Sequence, residues 1–246
     1  MGTDRPPINP ERVKRRYNEM AEIWDPNDKW HIYTKQRIQA FVKRVFSETP
    51  ASIHRRVVNI GSGDNNYGLE KDSILNIDIA INKLKRLPNG VLSDCHAVPV
   101  RDGEAEVIIC VGSVINYCDA FILIEEFSRL LKNGGTLILE FECSKSWELM
   151  FSRSFNKNSA LIRTFYNNDT EMIWVYSQPF IENALKVNGF VVREATPFHL
   201  ISPLVYKITR SSDFASKLAK LDPFATRIPI LRTITSNVIL LCEKNT

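Results

Sequence analysis

Apolar residues follow two different rhythms along this chain. Short continuous apolar runs, of the length expected for β-strands, lie at residues 56–60, 73–79, 91–94, 107–111, 136–141, 190–194 and 238–243. Longer segments in which apolar residues recur every three or four positions lie at residues 12–24, 33–46, 121–131 and 179–188. This second period predicts amphipathic helices. Strands that alternate with helices favour an α/β fold, with a mainly parallel, seven-stranded sheet and helices on both faces.

Two segments interrupt this alternation and are interpreted as insertions that cap the sheet. The first spans residues 143–177 and contains two strand-like runs, 161–166 and 171–176, on either side of an Asn-Asn-Asp turn. Such a pair of runs predicts a β-hairpin. The second insertion spans residues 199–235 and contains an amphipathic helix near 213–221.

The chain is expected to form one domain. Its 246 residues, 44% of them hydrophobic, can bury a sizeable core without the support of disulfides or metals. No internal repeat or low-complexity linker divides the sequence. Within this single domain, we interpret residues 1–50 as an N-terminal helical cap and residues 56–142 as the ligand-binding core.

Charge and targeting signals exclude several classes of protein. The net charge is +4 and the basic residues are scattered, so no nucleic-acid partner is expected. No stretch approaches the ~18 apolar residues of a membrane span, and residues 1–10 lack the apolar core of a signal peptide. The five cysteines form no Cys-x-x-Cys pair, and no cluster has metal-ligand spacing. We therefore predict a cytoplasmic, reducing location and no metal site.

The first strand runs into a glycine-rich turn. Residues 57–60 are followed directly by Gly61, Ser62 and Gly63. Glycine allows the backbone to turn sharply and to approach a ligand without a Cβ clash. In open α/β sheets, ligands bind outside the carboxyl ends of the strands. By itself, however, a Gly-x-Gly pair is equally typical of an ordinary turn.

Acidic residues follow the next two strands. Asp78 ends the second strand, 17 residues after Gly61, where a carboxylate can accept hydrogen bonds from the ribose hydroxyls of an adenosine-containing ligand. Asp94 follows the third strand, where a carboxylate can accept a hydrogen bond from an adenine amino group. Together with the turn, these residues predict a nucleoside-binding edge of the sheet.

In this order, the features resemble those of the class I S-adenosylmethionine-dependent methyltransferases, particularly the small-molecule group called type 11. The resemblance implies a Rossmann-like sheet, S-adenosylmethionine as cofactor, and a leading helix whose tyrosine closes over it. The cofactor-binding residues that it implies are Tyr17, Gly61, Ser62, Gly63, Asp78, Ile79, Asp94, Cys95 and Gly112. Gly134 and Gly135 match the family's turn before the fifth strand.

Two positions depart from the family's pattern. Asn59 stands where the family usually has an acidic residue, and Asn65 where it often has a third glycine. Because Asn tolerates left-handed backbone angles, we expect the turn to survive. The fingerprint of a nicotinamide dehydrogenase, Gly-x-Gly-x-x-Gly, is not met, since its sixth position is Asn66.

Candidate catalytic residues follow from the need for a base, which arises when the acceptor is a hydroxyl or a protonated amine. Tyr117 follows the fourth strand, and Glu142 ends the fifth. His31 and His199 lie in segments that could cap the site. For each of these residues a packing role is the alternative interpretation.

The function favoured by the sequence is transfer of a methyl group from S-adenosylmethionine to a small-molecule or glycan-like acceptor. Two alternatives remain open at this point: a protein that binds the cofactor without turnover, as a regulator or scaffold, and an RNA or protein methyltransferase. The second insertion carries basic residues around Phe214, Leu218, Leu221 and Phe224. This composition fits either an ordinary amphipathic cap or a surface that contacts a membrane or a lipid-linked acceptor.

Overall fold

The computed structural model describes residues 8–48, 56–69, 74–166, 169–209, 211–225, 228 and 233–245. The helices are α1 (Pro10–Glu19), α2 (Lys29–Ser47), α3 (Ile81–Leu84), α4 (Ala120–Leu130), α5 (Gln178–Val187), α6 (Ser202–Thr209), α7 (Ser212–Ala219) and α8 (Asp222–Ala225). The strands are β1 (Val57–Ile60), β2 (Ile74–Asp78), β3 (Gly90–Leu92), β4 (Ala105–Cys110), β5 (Leu131–Glu142), β6 (Ser159–Tyr166), β7 (Asp169–Tyr176), β8 (Phe190–Phe198) and β9 (Asn237–Lys244). Among these described helices, none is long and apolar enough to cross a membrane.

Seven of the strands form one mixed sheet. Their order across the sheet is β3-β2-β1-β4-β5-β9-β8. The pairs among β1 to β5 are parallel, whereas β9 runs antiparallel to both β5 and β8. The order reverses between β1 and β4, so the crevice for a ligand is expected at the carboxyl ends of these two strands. This mainly parallel α/β sheet confirms the predicted fold.

Two apolar cores lie on opposite faces of the sheet. On one face, α4 and α5 pack against alternate residues of the central strands, such as Ile108 of β4 and Leu139 of β5. On the other face, α2 buries Ile38, Phe41 and Val42 against the intervening strand residues. Because both faces are covered, the central strands are apolar at consecutive positions rather than at alternate ones.

The two predicted insertions take the expected forms. The first contains the hairpin, in which β6 and β7 form a separate two-stranded antiparallel sheet. The second contains α6, α7 and α8. An antiparallel strand, β9, follows the second insertion and returns the chain to the sheet beside β5.

The observed strands differ from the predicted ones mainly in length. The fifth strand was expected to begin at residue 136 but begins at Leu131, because Leu131 pairs with Ala105 before a shift in register. The sixth was expected to end at residue 194, but β8 continues to Phe198 along its antiparallel partner β9. Pro197 lies in this extension, which is compatible with pairing because β8 is the edge strand.

Candidate functional site

A cavity of about 570 Å³ lies at the carboxyl ends of the parallel strands. It is bordered by the turn after β1, by the residues that end or follow β2, β4 and β5, and by the β6–β7 hairpin. The segment between α1 and α2, the start of α2, and α6 cover it from the other side. This volume lies in the range of about 300–1,000 Å³ that is usual for small-molecule sites.

The glycine turn after β1 forms one wall of the cavity. Gly61 and Gly63 have φ angles of 67° and 53°, in the left-handed region that disfavours side chains. A Cβ at Gly61 would lie 2.3 Å from a methyl carbon of Val114, and one at Gly63 would lie 2.3 Å from Ile23 Cδ1. Both positions therefore require glycine for conformation and for space.

Asn59, which stands where the family's pattern has an acidic residue, supports this turn through its side-chain amide. Its Nδ2 donates to the carbonyl oxygen of Asn65 at 2.9 Å and to Asn76 Oδ1 at 3.0 Å. The left-handed residues that follow the glycines are Tyr67 and Gly68, with φ angles of 53° and 77°, and not Asn65. The predicted turn is thus present, but left-handed geometry at Asn65 was the wrong reason for it.

Asp78 couples the turn to the end of β2. Its Oδ2 accepts the backbone N–H of Gly63 at 2.7 Å, and its Oδ1 accepts that of Ala80 at 2.7 Å. The carboxylate borders the cavity, and burial raises its pKa. Each carboxylate oxygen can accept a further hydrogen bond, so Asp78 can still receive a ligand hydroxyl.

Ser62 presents a buried polar atom to the same wall. The residue is 2% exposed, and its Oγ has no hydrogen-bond partner among the described residues. It borders the cavity between the two glycines. Since a buried hydroxyl without a partner is costly, Ser62 Oγ is an available contact for a polar ligand at this turn.

The segment after β3 is arranged differently from the prediction. Ser93 and Cys95 border the cavity, but Asp94 is not among the described residues that line it. The Asp94 carboxylate instead lies 2.7 Å from His96 Nδ1, with its side chain 50% exposed. The adenine contact that the resemblance implied for Asp94 stays a prediction, because rotation of this side chain would be required.

A cluster that the spacing in sequence did not reveal lies beside this segment. Cys95 Sγ is 3.2 Å from Cys118 Sγ and 3.9 Å from His96 Nδ1, so three possible metal ligands lie together. His96 Nε2 accepts the backbone N–H of Asp119. The two cysteines are 23 residues apart in the sequence, and only the fold brings them together.

A fully buried carboxylate supports the turn after β4. Glu140 is 0% exposed, and its Oε2 accepts the backbone N–H groups of Gly112 and Ser113 at 2.8 and 2.7 Å. Its Oε1 accepts Nδ2 of Asn237 at 2.7 Å. Gly112 and Ser113 both border the cavity and both have positive φ angles. Glu140 therefore holds a strained turn in place from behind the cavity wall.

Glu142 and Glu148 place two further carboxyl groups at the cavity. Burial, followed by the nearby carboxylates of Glu148 and Glu140, raises the pKa of Glu142 to about 8. Burial also raises the pKa of Glu148, whose Oε1 accepts a hydrogen bond from Ser236 Oγ at 3.1 Å. A carboxyl group with a pKa near neutrality is suited to exchange a proton with a ligand.

The N-terminal segment covers the cavity. The Tyr17 hydroxyl donates to that of Tyr117 at 3.1 Å, with the two rings edge to face. The buried Lys83 side chain donates to the backbone oxygens of Met20 and Ala21 and so fixes the segment after α1 onto α3. Burial raises the pKa of Tyr117 well above its ordinary value, so this hydroxyl is poorly suited to act as a base.

The histidines of the caps have different environments. His31 borders the cavity, and its Nδ1 lies 2.5 Å from Asp28 Oδ2. His199 is 1% exposed. Its Nδ1 accepts the indole Nε1–H of Trp30 at 3.0 Å, and its Nε2 lies 2.7 Å from Thr34 Oγ1. Burial lowers the pKa of His199 to about 3. It is therefore a neutral link between α2 and the start of the second insertion.

The predicted site residues are brought together with one exception. The cofactor candidates Tyr17, Gly61, Ser62, Gly63, Asp78, Ile79, Cys95 and Gly112, and the base candidates Tyr117, Glu142 and His31, all border the cavity. Asp94 does not. The sequence analysis did not identify Ile23, Tyr67 or Glu148, which also border the cavity. It did not identify Glu140 either, although an acidic residue inside an apolar strand is a signal for buried hydrogen-bond partners.

Comparisons with known proteins identify the fold and match part of the chain to a family. Residues 60–139 match the family described as a methyltransferase domain. The geranyl diphosphate C-methyltransferase of Streptomyces coelicolor A3(2), in a complex with S-adenosyl-L-homocysteine, is 12% identical over 98% of this chain and 100% of its own, with a TM-score of 0.58. An S-adenosylmethionine-dependent methyltransferase of Mesorhizobium loti is 12% identical over 82% of this chain and 96% of its own, with a TM-score of 0.51.

The same fold also occurs with another activity. The [4+2]-cyclase SpnF is 13% identical over 85% of this chain and 81% of its own, with a TM-score of 0.54. At such low identity, similarity to solved structures shows the fold alone. No curated protein sequence matches the chain.

Proposed function

We propose that the chain is a class I S-adenosylmethionine-dependent methyltransferase, as the match of residues 60–139 supports, and that its acceptor is a small molecule enclosed in the cavity. The observation that carries this proposal is the continuity of one cavity. It extends from the glycine turn and Asp78 to Glu142, Glu148 and α6. A ligand that reaches Glu142 must pass beneath covering elements, which favours a small acceptor over a polymer.

The residues of the turn fit the cofactor. S-adenosylmethionine supplies an electrophilic methyl group on a sulfonium. Asp78 accepts hydrogen bonds from the ribose hydroxyls, and Gly61 and Gly63 let the backbone lie against the cofactor. Ser62 Oγ, buried and without a partner among the described residues, donates to a polar group of the methionine moiety. Tyr17 closes the N-terminal segment over the site.

Glu142 takes the proton that the acceptor loses. Its pKa of about 8, raised by burial and by neighbouring carboxylates, allows both protonation states near neutral pH. Ionised Glu142 accepts a proton either from an ammonium group of the acceptor, which leaves a neutral amine, or from a hydroxyl group, which leaves an oxyanion, and this nucleophile would then face the methyl group. Tyr117, with its raised pKa, orients rather than deprotonates the acceptor.

The caps exclude water from the reacting groups. The hairpin contributes Ile162 and Ile173 to the lining, and α6 contributes Tyr206. Alignment of methyl group and nucleophile at near contact is the main requirement of the transfer. Phe151 of the same insertion is 94% exposed and is not among the described residues that line the cavity.

The acceptor class is tested with tritium-labelled S-adenosylmethionine and an extract of the source cells. The extract is separated into an ultrafiltrate, a protein fraction and an RNA fraction. The proposal predicts label in a compound of the ultrafiltrate, and its loss with Glu142→Gln, a variant that should still bind the cofactor. Label in protein or RNA, or cofactor binding without transfer to any fraction, would overturn the proposal.

A further inference from the structure

The helix α7 buries small residues and exposes a large apolar one, which is the reverse of the usual amphipathic arrangement. Its buried residues are small: Ala215 and Ala219 are fully buried, and Ser216 is 8% exposed. Of its two large apolar residues, Leu218 is half-buried and Phe214 is 51% exposed, and Leu221, just beyond the end of the helix, is 50% exposed. A helix that packs only against its own protein normally buries its large apolar side chains and exposes the small ones. The exposure of Phe214 and Leu221 therefore needs another explanation.

Large exposed apolar side chains are concentrated in this part of the chain. Of the eleven such residues among the described ones, five lie between positions 208 and 228. They are Ile208 (72% exposed), Phe214, Leu221, Phe224 (63%) and Ile228 (51%). Single exposed apolar residues are ordinary, but a concentration of this kind marks an interaction surface.

The same part of the chain has an excess of basic residues. Residues 207–232 contain six basic residues and two acidic ones, a net charge of +4, equal to the net charge of the whole chain. One acidic residue, Asp222, is 2% exposed and accepts backbone N–H groups of His199 and Leu200. The other, Asp213, is shared between Lys29 and Lys217. Among the described residues of this segment, Lys207, Lys217 and Lys220 are exposed, and they outnumber the accessible carboxylate of Asp213.

From these two features, we propose that residues 207–209, 211–225 and 228 form a surface that docks onto an anionic lipid membrane. Exposed Phe and Leu side chains surrounded by Lys and Arg are the composition that binds in the headgroup region. The surface is continuous with the cavity, because α6 contributes Tyr206 and Lys207 to the lining and carries Ile208 outward. Docking would thus bring the cavity's α6 side to the lipid interface.

Small residues on the buried side of α7 make this docking compatible with the fold. Ala215 and Ala219 allow α7 to lie close to α2, and Tyr33 donates a hydrogen bond to the backbone oxygen of Ala219 at 2.9 Å. The apolar side chains of Phe214 and Leu221 are then free to enter the lipid without loss of core packing. Docking through this surface needs no rearrangement of the sheet or of the cavity wall formed by the glycine turn after β1.

Sedimentation with lipid vesicles tests the proposal, and it needs neither cofactor nor turnover. We expect the full-length protein to bind phosphatidylcholine vesicles that contain about a third phosphatidylserine at least about tenfold more tightly than pure phosphatidylcholine. Binding should weaken as salt is raised. The double variant Phe214→Ser/Leu221→Ser should bind at least about tenfold more weakly, because two apolar side chains no longer enter the lipid.

A matched control is available on the opposite face of the sheet. Phe121 and Ile122 of α4 are 52% and 50% exposed, almost as Phe214 and Leu221 are. The variant Phe121→Ser/Ile122→Ser should leave vesicle binding unchanged. Lys220→Glu, which alters charge without removing an apolar residue, should weaken binding to anionic vesicles.

Three results would overturn the proposal. The first is no binding of the unaltered protein to anionic vesicles, and the second is equal loss in the test and control variants. The third is a protein dimer that Phe214→Ser/Leu221→Ser dissociates while vesicle binding is unchanged, which would assign the surface to a second copy of the chain. Failure of methyl transfer would leave all three readouts unaffected, so the two proposals are distinguishable.

Discussion

Glu140 Oε2 accepts the backbone N–H of Gly112 at 2.8 Å, from a side chain that is itself fully buried. The same oxygen accepts the N–H of Ser113, and the other oxygen accepts Nδ2 of Asn237. One carboxyl group thus connects the turn after β4 with β5 and β9. Burial raises its pKa despite these three donors, so the group is held in place at an electrostatic cost.

Removal of this carboxyl group should disturb both stability and cofactor binding. Glu140→Ala leaves three buried donors without their acceptor, and we expect the free energy of unfolding to fall by about 3 kcal/mol. Glu140→Gln retains acceptor capacity on one oxygen and should cost less. Urea denaturation of both variants measures the effect. Equal stability of Glu140→Ala and the unaltered protein would show that the turn is held by other contacts.

The two carboxylates that follow β2 and β3 should differ in their contribution to cofactor affinity. Asp78 borders the cavity and binds the Gly63 amide, whereas Asp94 pairs with His96 outside the lining. Asp78→Ala should weaken S-adenosylhomocysteine binding by about 1–3 kcal/mol, the value of hydrogen bonds to a charged group. Asp94→Ala should weaken it less. Calorimetric titration of the two variants compares them, and a larger effect of Asp94→Ala would mean that its side chain rotates toward adenine on binding.

The contact between Gly63 and Ile23 predicts a partial rescue. A methyl group at position 63 would collide with Ile23 Cδ1, so Gly63→Ala should displace the segment after α1 as well as strain the turn. Ile23→Ala removes the collision but not the backbone strain, which costs about 1–2 kcal/mol. The double variant should therefore bind the cofactor better than Gly63→Ala alone. Additive losses in a double-mutant cycle would contradict this account.

The raised pKa of Glu142 predicts a pH dependence of turnover. If Glu142 accepts the acceptor's proton, kcat/KM should rise with pH and level off above an apparent pKa of about 8. Glu142→Gln should remove this limb and lower turnover by about 10²–10⁴-fold. If Glu142→Gln lowered the rate equally at every pH and left the shape of the pH–rate profile unchanged, another group would take the proton.

Stability provides a separate measurement of the same group. Its pKa in the folded protein lies above its ordinary value of 4.5, so the folded state binds more protons than the unfolded state between about pH 4.5 and 8. The free energy of unfolding should therefore fall as pH rises through this window. Glu142→Gln should reduce that fall whether or not the residue acts in catalysis.

The wall of the cavity formed by the glycine turn and Asp78 could be predicted because its signals are local in sequence. A buried strand followed by Gly61 and Gly63, and an acid at the end of the next strand, are each visible within a few residues. The parallel sheet then necessarily brings the strand ends to one edge. This is why Asp78 lies at the cavity as expected.

The rest of the site depends on contacts that are distant in sequence. Lys83 holds Met20 and Ala21, and Trp30 donates to His199, 169 positions away. No local pattern distinguishes these residues from ordinary surface or core residues. Whether Asp94 borders the cavity could not be predicted for a related reason, because its carboxylate lies 2.7 Å from His96 Nδ1, a contact that the preceding strand does not indicate.

Cofactor binding by the unaltered protein is the property on which the assignment of this cavity depends. Titration calorimetry with S-adenosylhomocysteine should show one site per chain with a dissociation constant in the micromolar range, and the ligand should raise Tm by mass action. Phe121→Ser/Ile122→Ser should titrate as the unaltered protein does, whereas Asp78→Ala should bind more weakly. Absence of both heat and thermal shift at about 1 mM ligand, a concentration far above a micromolar Kd, would contradict the assignment of this cavity to S-adenosylmethionine.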